Sequence, residues 1–116
     1  MSITIYHNPR CSKSRETLKL LQERGIEPEI REYLKDVPSA NELKSVLAAL
    51  AIAPRDLLRT KEAEYKEAGL DNPDLDDDAI IQAMTEYPRL IERPIVINGE
   101  TARIGRPPES VLEIIA

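Results

Sequence analysis

Cys11 is the single cysteine of this 116-residue chain, and the single histidine, His7, stands four residues before it. A lone cysteine reads first as a small buried hydrophobe. This one lies between an apolar run, Ile3 to Tyr6, and an amphipathic stretch that begins at Ser12, so it is expected at the mouth of a helix. Free N–H groups and a partial positive charge at such a mouth favour thiolate over thiol, as a nucleophile requires. Arg10, Lys13 and Arg15 add cationic surroundings at close sequence range. Ser14 is placed to donate a hydrogen bond to the sulfur, which would lower its basicity. His7 reads either as a turn residue bonded to local backbone or as a group that orients the loop and tunes the thiolate.

Absent partners narrow the chemistry. Cys11-Ser12-Lys13-Ser14 is a C-x-x-S arrangement, so a redox cycle at Cys11 needs a thiol from outside the motif. A phosphatase-type loop would carry Arg six residues after the cysteine, where this chain has Thr17. One His and one Cys make no zinc set. Asp74, Asp76 and Asp78 imitate a calcium loop, but Ala79 stands where glycine is needed and Thr85 where glutamate is needed. They read as a helix cap, and no metal site is expected. Arg59, Arg93 and Arg106 each fall at an element boundary. Taken singly they read as solvated surface charges. Brought together they would form a cradle for an oxyanion, cancelling the repulsion between a thiolate and an anionic substrate.

The elements that must position these groups follow from local pattern. Ile3 to Tyr6 reads as a buried strand ended by the His7-Asn8-Pro9 turn, since Pro9 disfavours a helical Asn8. A helix is predicted from about Ser12 to Arg24, with Thr17, Leu18 and Leu21 on one face and Gly25 after its end. Glu29 to Tyr33 is a second, heavily charged strand, which completes a parallel βαβ unit. Ser39 and Glu42 form a capping-box pair before Leu43, Val46, Leu47 and Leu50. Short helices follow from Pro54 to Arg59 and from Lys61 to Ala68, then one over Ile80, Ile81 and Met84 that is capped by Asp76 to Asp78 and ends before Pro88. Pro94 to Ile97 and Ala102 to Ile104 read as a hairpin joined by a type I′ Asn98-Gly99 turn. Pro107 or Pro108 opens a last helix. The order predicts an α/β fold, a thioredoxin-like mixed four-stranded sheet with a helical insertion at about 39–91, as one domain over residues 1–116.

Composition sets the outer bounds. Sixteen basic and 21 acidic residues give a net charge of −5, which disfavours a general nucleic-acid binder. With no Phe or Trp, the core must be aliphatic. No apolar run approaches the ~18 residues of a bilayer span. The opening residues lack the basic and apolar regions of a secretory signal, and a lone cysteine suits a reducing compartment, so a cytoplasmic location is expected.

The stretch Ile5-Tyr6-His7-Asn8-Pro9-Arg10-Cys11-Ser12-Lys13-Ser14-Arg15 resembles the glutaredoxin-dependent arsenate reductase family. The resemblance continues through Leu57-Leu58-Arg59, Glu92-Arg93-Pro94-Ile95-Val96 and Arg103-Ile104-Gly105-Arg106-Pro107. It implies that Cys11 attacks arsenate, with His7 near the thiol and Arg59, Arg93 and Arg106 on the oxyanion. It also implies a cis-proline at Pro94. Glutathione would be a co-substrate rather than a bound cofactor, and glutaredoxin would reduce the Cys11–glutathione disulfide. The short form with Cys11-Ser12-Lys13-Ser14 looks like a housekeeping branch. Two alternatives stay open: a glutathione-linked thiol oxidoreductase with another substrate, and a thioredoxin-like protein-binding module such as a transcription regulator. Related regulators with a redox switch carry C-x-x-C, where this chain has Ser14.

Overall fold

A computed structural model describes residues 2–115 of the chain. It divides into two compact units, one combining the stretch through Asp36 with that from Arg93 onward, the other Val37–Glu92. The insertion expected at 39–91 lies within the second.

The first unit is built on four strands: β1 (Ile3–Tyr6), β2 (Glu29–Arg31), β3 (Ile95–Asn98) and β4 (Thr101–Ile104), in the order β2-β1-β3-β4. β1 pairs with β2 in parallel, Ile5 opposite Ile30, and with β3 antiparallel, Ile5 opposite Val96. A parallel pair needs a crossover, and α1 (Ser12–Glu23) supplies it. This is the thioredoxin-like mixed sheet that the element order predicts. Ile3, Ile5, Leu21, Val96 and Val111 form its aliphatic core, with Leu18, Ile26 and Ile114 packed against them.

Three details differ from the local pattern. β2 stops at Arg31 instead of Tyr33, because the N–H groups of Lys35 and Asp36 both turn back onto the Glu32 carbonyl. Tyr33 is buried off the strand, its ring stacked on Tyr6 at 6.4 Å. In the hairpin, Asn98 pairs with Thr101, so the turn residues are Gly99 and Glu100. Only Gly99 has positive φ, at 62°, and a glycine in first place marks a type II′ turn rather than I′. The final segment, Pro108–Ile114, is a 3₁₀ helix rather than an α-helix. Val111 is its buried apolar anchor.

In the second unit, α2 (Ala40–Leu50) starts at the expected capping box. Glu42 N–H donates to Ser39 Oγ at 3.1 Å, and Ser39 N–H donates to Glu42 Oε1 at 3.0 Å. A 3₁₀ turn, Pro54–Leu57, and a brief helix α3 (Ala63–Glu67) follow. In α4 (Asp77–Glu86), Ala79 N–H donates to Asp76 Oδ1 at 2.8 Å, so the aspartate run caps a helix. Leu43, Val46, Leu47 and Leu50 of α2 and Ile80, Ile81 and Met84 of α4 are the buried faces of two helices in contact.

Candidate functional site

Asn8 and Pro9 turn the chain out of β1, and Cys11 N–H closes that turn by donating to the Asn8 carbonyl at 3.0 Å. Cys11 is the N-cap residue of α1, in extended conformation, and only 9% exposed. Burial pushes its thiol pKa up, yet the net shift is down. The main-chain N–H of Ser14, the Arg93 guanidinium, the N–H of Lys13 and the Arg106 guanidinium together outweigh burial. The two amides act on the sulfur electrostatically, without completing a side-chain cap hydrogen bond.

The source of the positive field differs from the expectation. The Arg10, Lys13 and Arg15 side chains do not supply it. Lys13 Nζ pairs with Glu16 at 3.7 Å, and Arg15 Nη1 donates to the Pro9 carbonyl at 2.9 Å, which ties the loop to the helix. Nor does the Ser14 hydroxyl donate to the sulfur; the main-chain N–H of that residue is what acts there. Ser14 Oγ instead accepts from Asn8 N–H at 3.0 Å and stands 2.6 Å from His7 Nδ1. Both side chains are buried. Burial, reinforced by Arg15 and opposed by Glu32, holds the His7 pKa below its ordinary value. For a neutral imidazole, a hydroxyl that donates to bare Nδ1 while accepting from Asn8 satisfies Nδ1, the hydroxyl and the Asn8 N–H. His7 therefore braces the loop that carries Cys11.

Arg93 and Arg106 come together at the sulfur. Arg106 Nη2 lies 3.8 Å from Cys11 Sγ, and its Nε donates to the Arg93 carbonyl at 2.9 Å. A guanidinium anchored through one nitrogen presents the other two in a fixed fork. The Arg93–Pro94 peptide is cis, as is Arg106–Pro107; the resemblance names only the first. Arg59 lies in the second unit, where Nη1 pairs with Glu62 at 2.9 Å and Nε approaches Glu92 at 3.9 Å.

Two residues matter here that their types alone do not single out. A Cβ built on Gly105 would lie 2.5 Å from Thr17 Oγ1 and 2.8 Å from Pro94 Cγ. Gly105 N–H also donates to the Pro94 carbonyl at 2.9 Å. The segment carrying Arg106 thus reaches α1 only because residue 105 has no side chain. Thr17, fully buried with Oγ1 bonded to the Lys13 carbonyl at 2.8 Å, is the surface it meets. A polar β-branched residue on an otherwise apolar helix face was the signal for it.

Among the described residues, no group of His, Cys, Asp and Glu could hold a metal ion, and no helix is long and apolar enough to cross a membrane.

The chain is 55% identical over 116 residues to the arsenate reductase of Haemophilus influenzae, covering 99% of this chain and 100% of that one. It is 54% identical over 114 residues to the Escherichia coli protein YfgD, covering 97% and 96%. The solved arsenate reductase from Vibrio cholerae superposes with a TM-score of 0.96 at 54% identity, over 98% of each chain. The sequence model of the ArsC family matches residues 6–114, a span that holds the braced loop, the cysteine and both arginines beside it. The chain belongs to the ArsC family.

Proposed function

We propose that the chain is an arsenate reductase that uses glutathione as co-substrate and glutaredoxin to regenerate its thiol. One observation carries the reading: an anchored guanidinium, Arg106, stands 3.8 Å from a cysteine sulfur whose pKa is lowered. A thiolate and an arsenate anion repel each other, and a fixed cation beside the sulfur offsets that repulsion where the new bond forms. The arsenate reductases among the similar proteins support the choice of oxyanion.

In the proposed cycle the Cys11 thiolate attacks arsenic(V), forming an As–S bond, and an arsenic-bound oxygen leaves as water. The glutathione thiol displaces a second oxygen, also as water, so that arsenic carries both sulfurs. A sulfur–sulfur bond then forms and both As–S bonds break. Two electrons stay with arsenic, which takes back one water and leaves as arsenite(III). Cys11 is left disulfide-bonded to glutathione, and a glutaredoxin thiolate takes over the glutathionyl group to restore the Cys11 thiolate. His7 and Ser14 hold the loop throughout.

Arsenite production with arsenate, glutathione and glutaredoxin tests the reading. Wild type should turn over, and Cys11→Ser should fall to background while keeping its fold by circular dichroism. Comparable turnover by Cys11→Ser would remove the sulfur from the mechanism. Wild type that ignores arsenate yet exchanges glutathione at Cys11 would instead identify a thiol oxidoreductase with another substrate.

A further inference from the structure

The cycle leaves open how the chain selects its thiol. A cavity of about 300 Å³ opens in the first unit between two walls. One is the loop that leads into the nucleophile, with His7, Pro9 and Arg10; the other is the turn after β2, with Glu32, Leu34 and Lys35. That size is at the lower end of the range for small-molecule pockets and suits a tripeptide.

Both walls are fixed. Arg15 clamps the Pro9 carbonyl at 2.9 Å, and Asn8 N–H is held by Ser14. Arg10 N–H donates to Asn8 Oδ1 at 3.0 Å, and Lys35 N–H closes its turn on the Glu32 carbonyl at 2.9 Å. Pro9 and Leu34 offer apolar surface. The charges are two cations, Arg10 and Lys35, and one carboxylate, Glu32, whose Oε1 stands 3.7 Å from Lys35 Nζ. Glutathione carries the complementary set, two carboxylates and one ammonium.

We propose that this cavity, walled by Arg10, Glu32 and Lys35, is the subsite for the thiol co-substrate, a reading that rests on the glutathione coupling above. Arg10 and Lys35 take the two carboxylates, and Glu32 takes the ammonium. Arg10 directly precedes Cys11 in the chain, so the proposed subsite shares its wall with the loop that carries the nucleophile.

Oxidised glutathione is the probe, because the step it reports needs no arsenate. Cys11 thiolate attacks one sulfur of the disulfide, the Cys11–glutathione disulfide forms and glutathione thiolate leaves. Bis(2-hydroxyethyl) disulfide, which is neutral, undergoes the same exchange without charges to recognise. The readout is the ratio of the two rate constants by intact mass, which cancels changes in the nucleophilicity of Cys11. Arg10 and Lys35 are both exposed, so replacing them removes no buried packing.

The ratio should fall on the order of fivefold in Arg10→Ala/Lys35→Ala, and further in Arg10→Glu/Lys35→Glu. An unchanged ratio in the charge-reversed variant, with wild type reacting readily, overturns the subsite and leaves the glutathione coupling standing. Wild type that forms no Cys11–glutathione disulfide at all overturns both.

Discussion

Desolvation opposes ionisation of the Cys11 thiol, and two amides with two guanidinium groups reverse that outcome. Removing one cation should let part of the burial effect return. Arg106→Ala is expected to move the pH profile of Cys11 alkylation by iodoacetamide to higher pH, so that less thiolate is present at neutrality. An unshifted profile would mean that the amides alone hold the ionised form. His7 gives a prediction with the opposite readout. Its pKa is depressed in the folded chain from about 6.5. Above that value both folded and unfolded states carry neutral imidazole, and its burial adds no protonation penalty. As pH falls below it the unfolded chain binds the proton first, and stability declines until the folded-state His7 titrates as well. His7→Asn should therefore be less stable than wild type at pH 7.5, having lost the Ser14 contact. It should also lose less stability than wild type between pH 7.5 and 5.5 in urea titrations. A pH dependence equal to that of wild type would show that the carboxylates alone govern the acid side.

At the scale of elements, the approach of the Arg106 segment to α1 depends on an absent methyl group. Gly105→Ala forces its Cβ against Thr17 and Pro94, an overpacking that costs ~1–3 kcal/mol. It should also draw Arg106 away from the sulfur, which raises the alkylation pKa as well as lowering stability. Thr17→Ala removes both threonine atoms from the clash, so Gly105→Ala/Thr17→Ala should recover part of each loss. Additive losses in the double variant would locate the strain elsewhere. In the second unit, Ser39→Ala removes the side-chain half of a capping box and should cost about 1 kcal/mol of stability. Both the box and the Asp76 cap are legible in sequence because a cap needs only residues three apart. The end of β2 is not, since a turn at Glu32 decides it. The 3₁₀ form of the last helix is likewise hidden, because Val111, Leu112, Ile114 and Ile115 suit either helix type.

For the whole molecule, the thioredoxin-like order of strands could be read from alternating apolar runs and their connections, which are local signals. The site could be read only in part. Cys11 at a helix mouth follows from its own neighbourhood, while the two-wall cavity needs a turn that the charged stretch from Glu29 to Tyr33 conceals. Spacing could not bring Arg106 to Cys11; the family resemblance pointed to the residue, and folding supplies the contact. One thiol per molecule gives one further expectation. Incubation with oxidised glutathione should add a single glutathionyl mass that Cys11→Ser lacks, and no loss of two hydrogens should accompany it.

Cys11 and the guanidinium beside it are separated by 95 positions. The ribosome therefore releases the sulfur long before the residue that helps to ionise it exists. An unfinished polypeptide has only the amides of its first helix to act on that thiol, and gains the Arg106 guanidinium once the closing hairpin and the turn after it have been laid down.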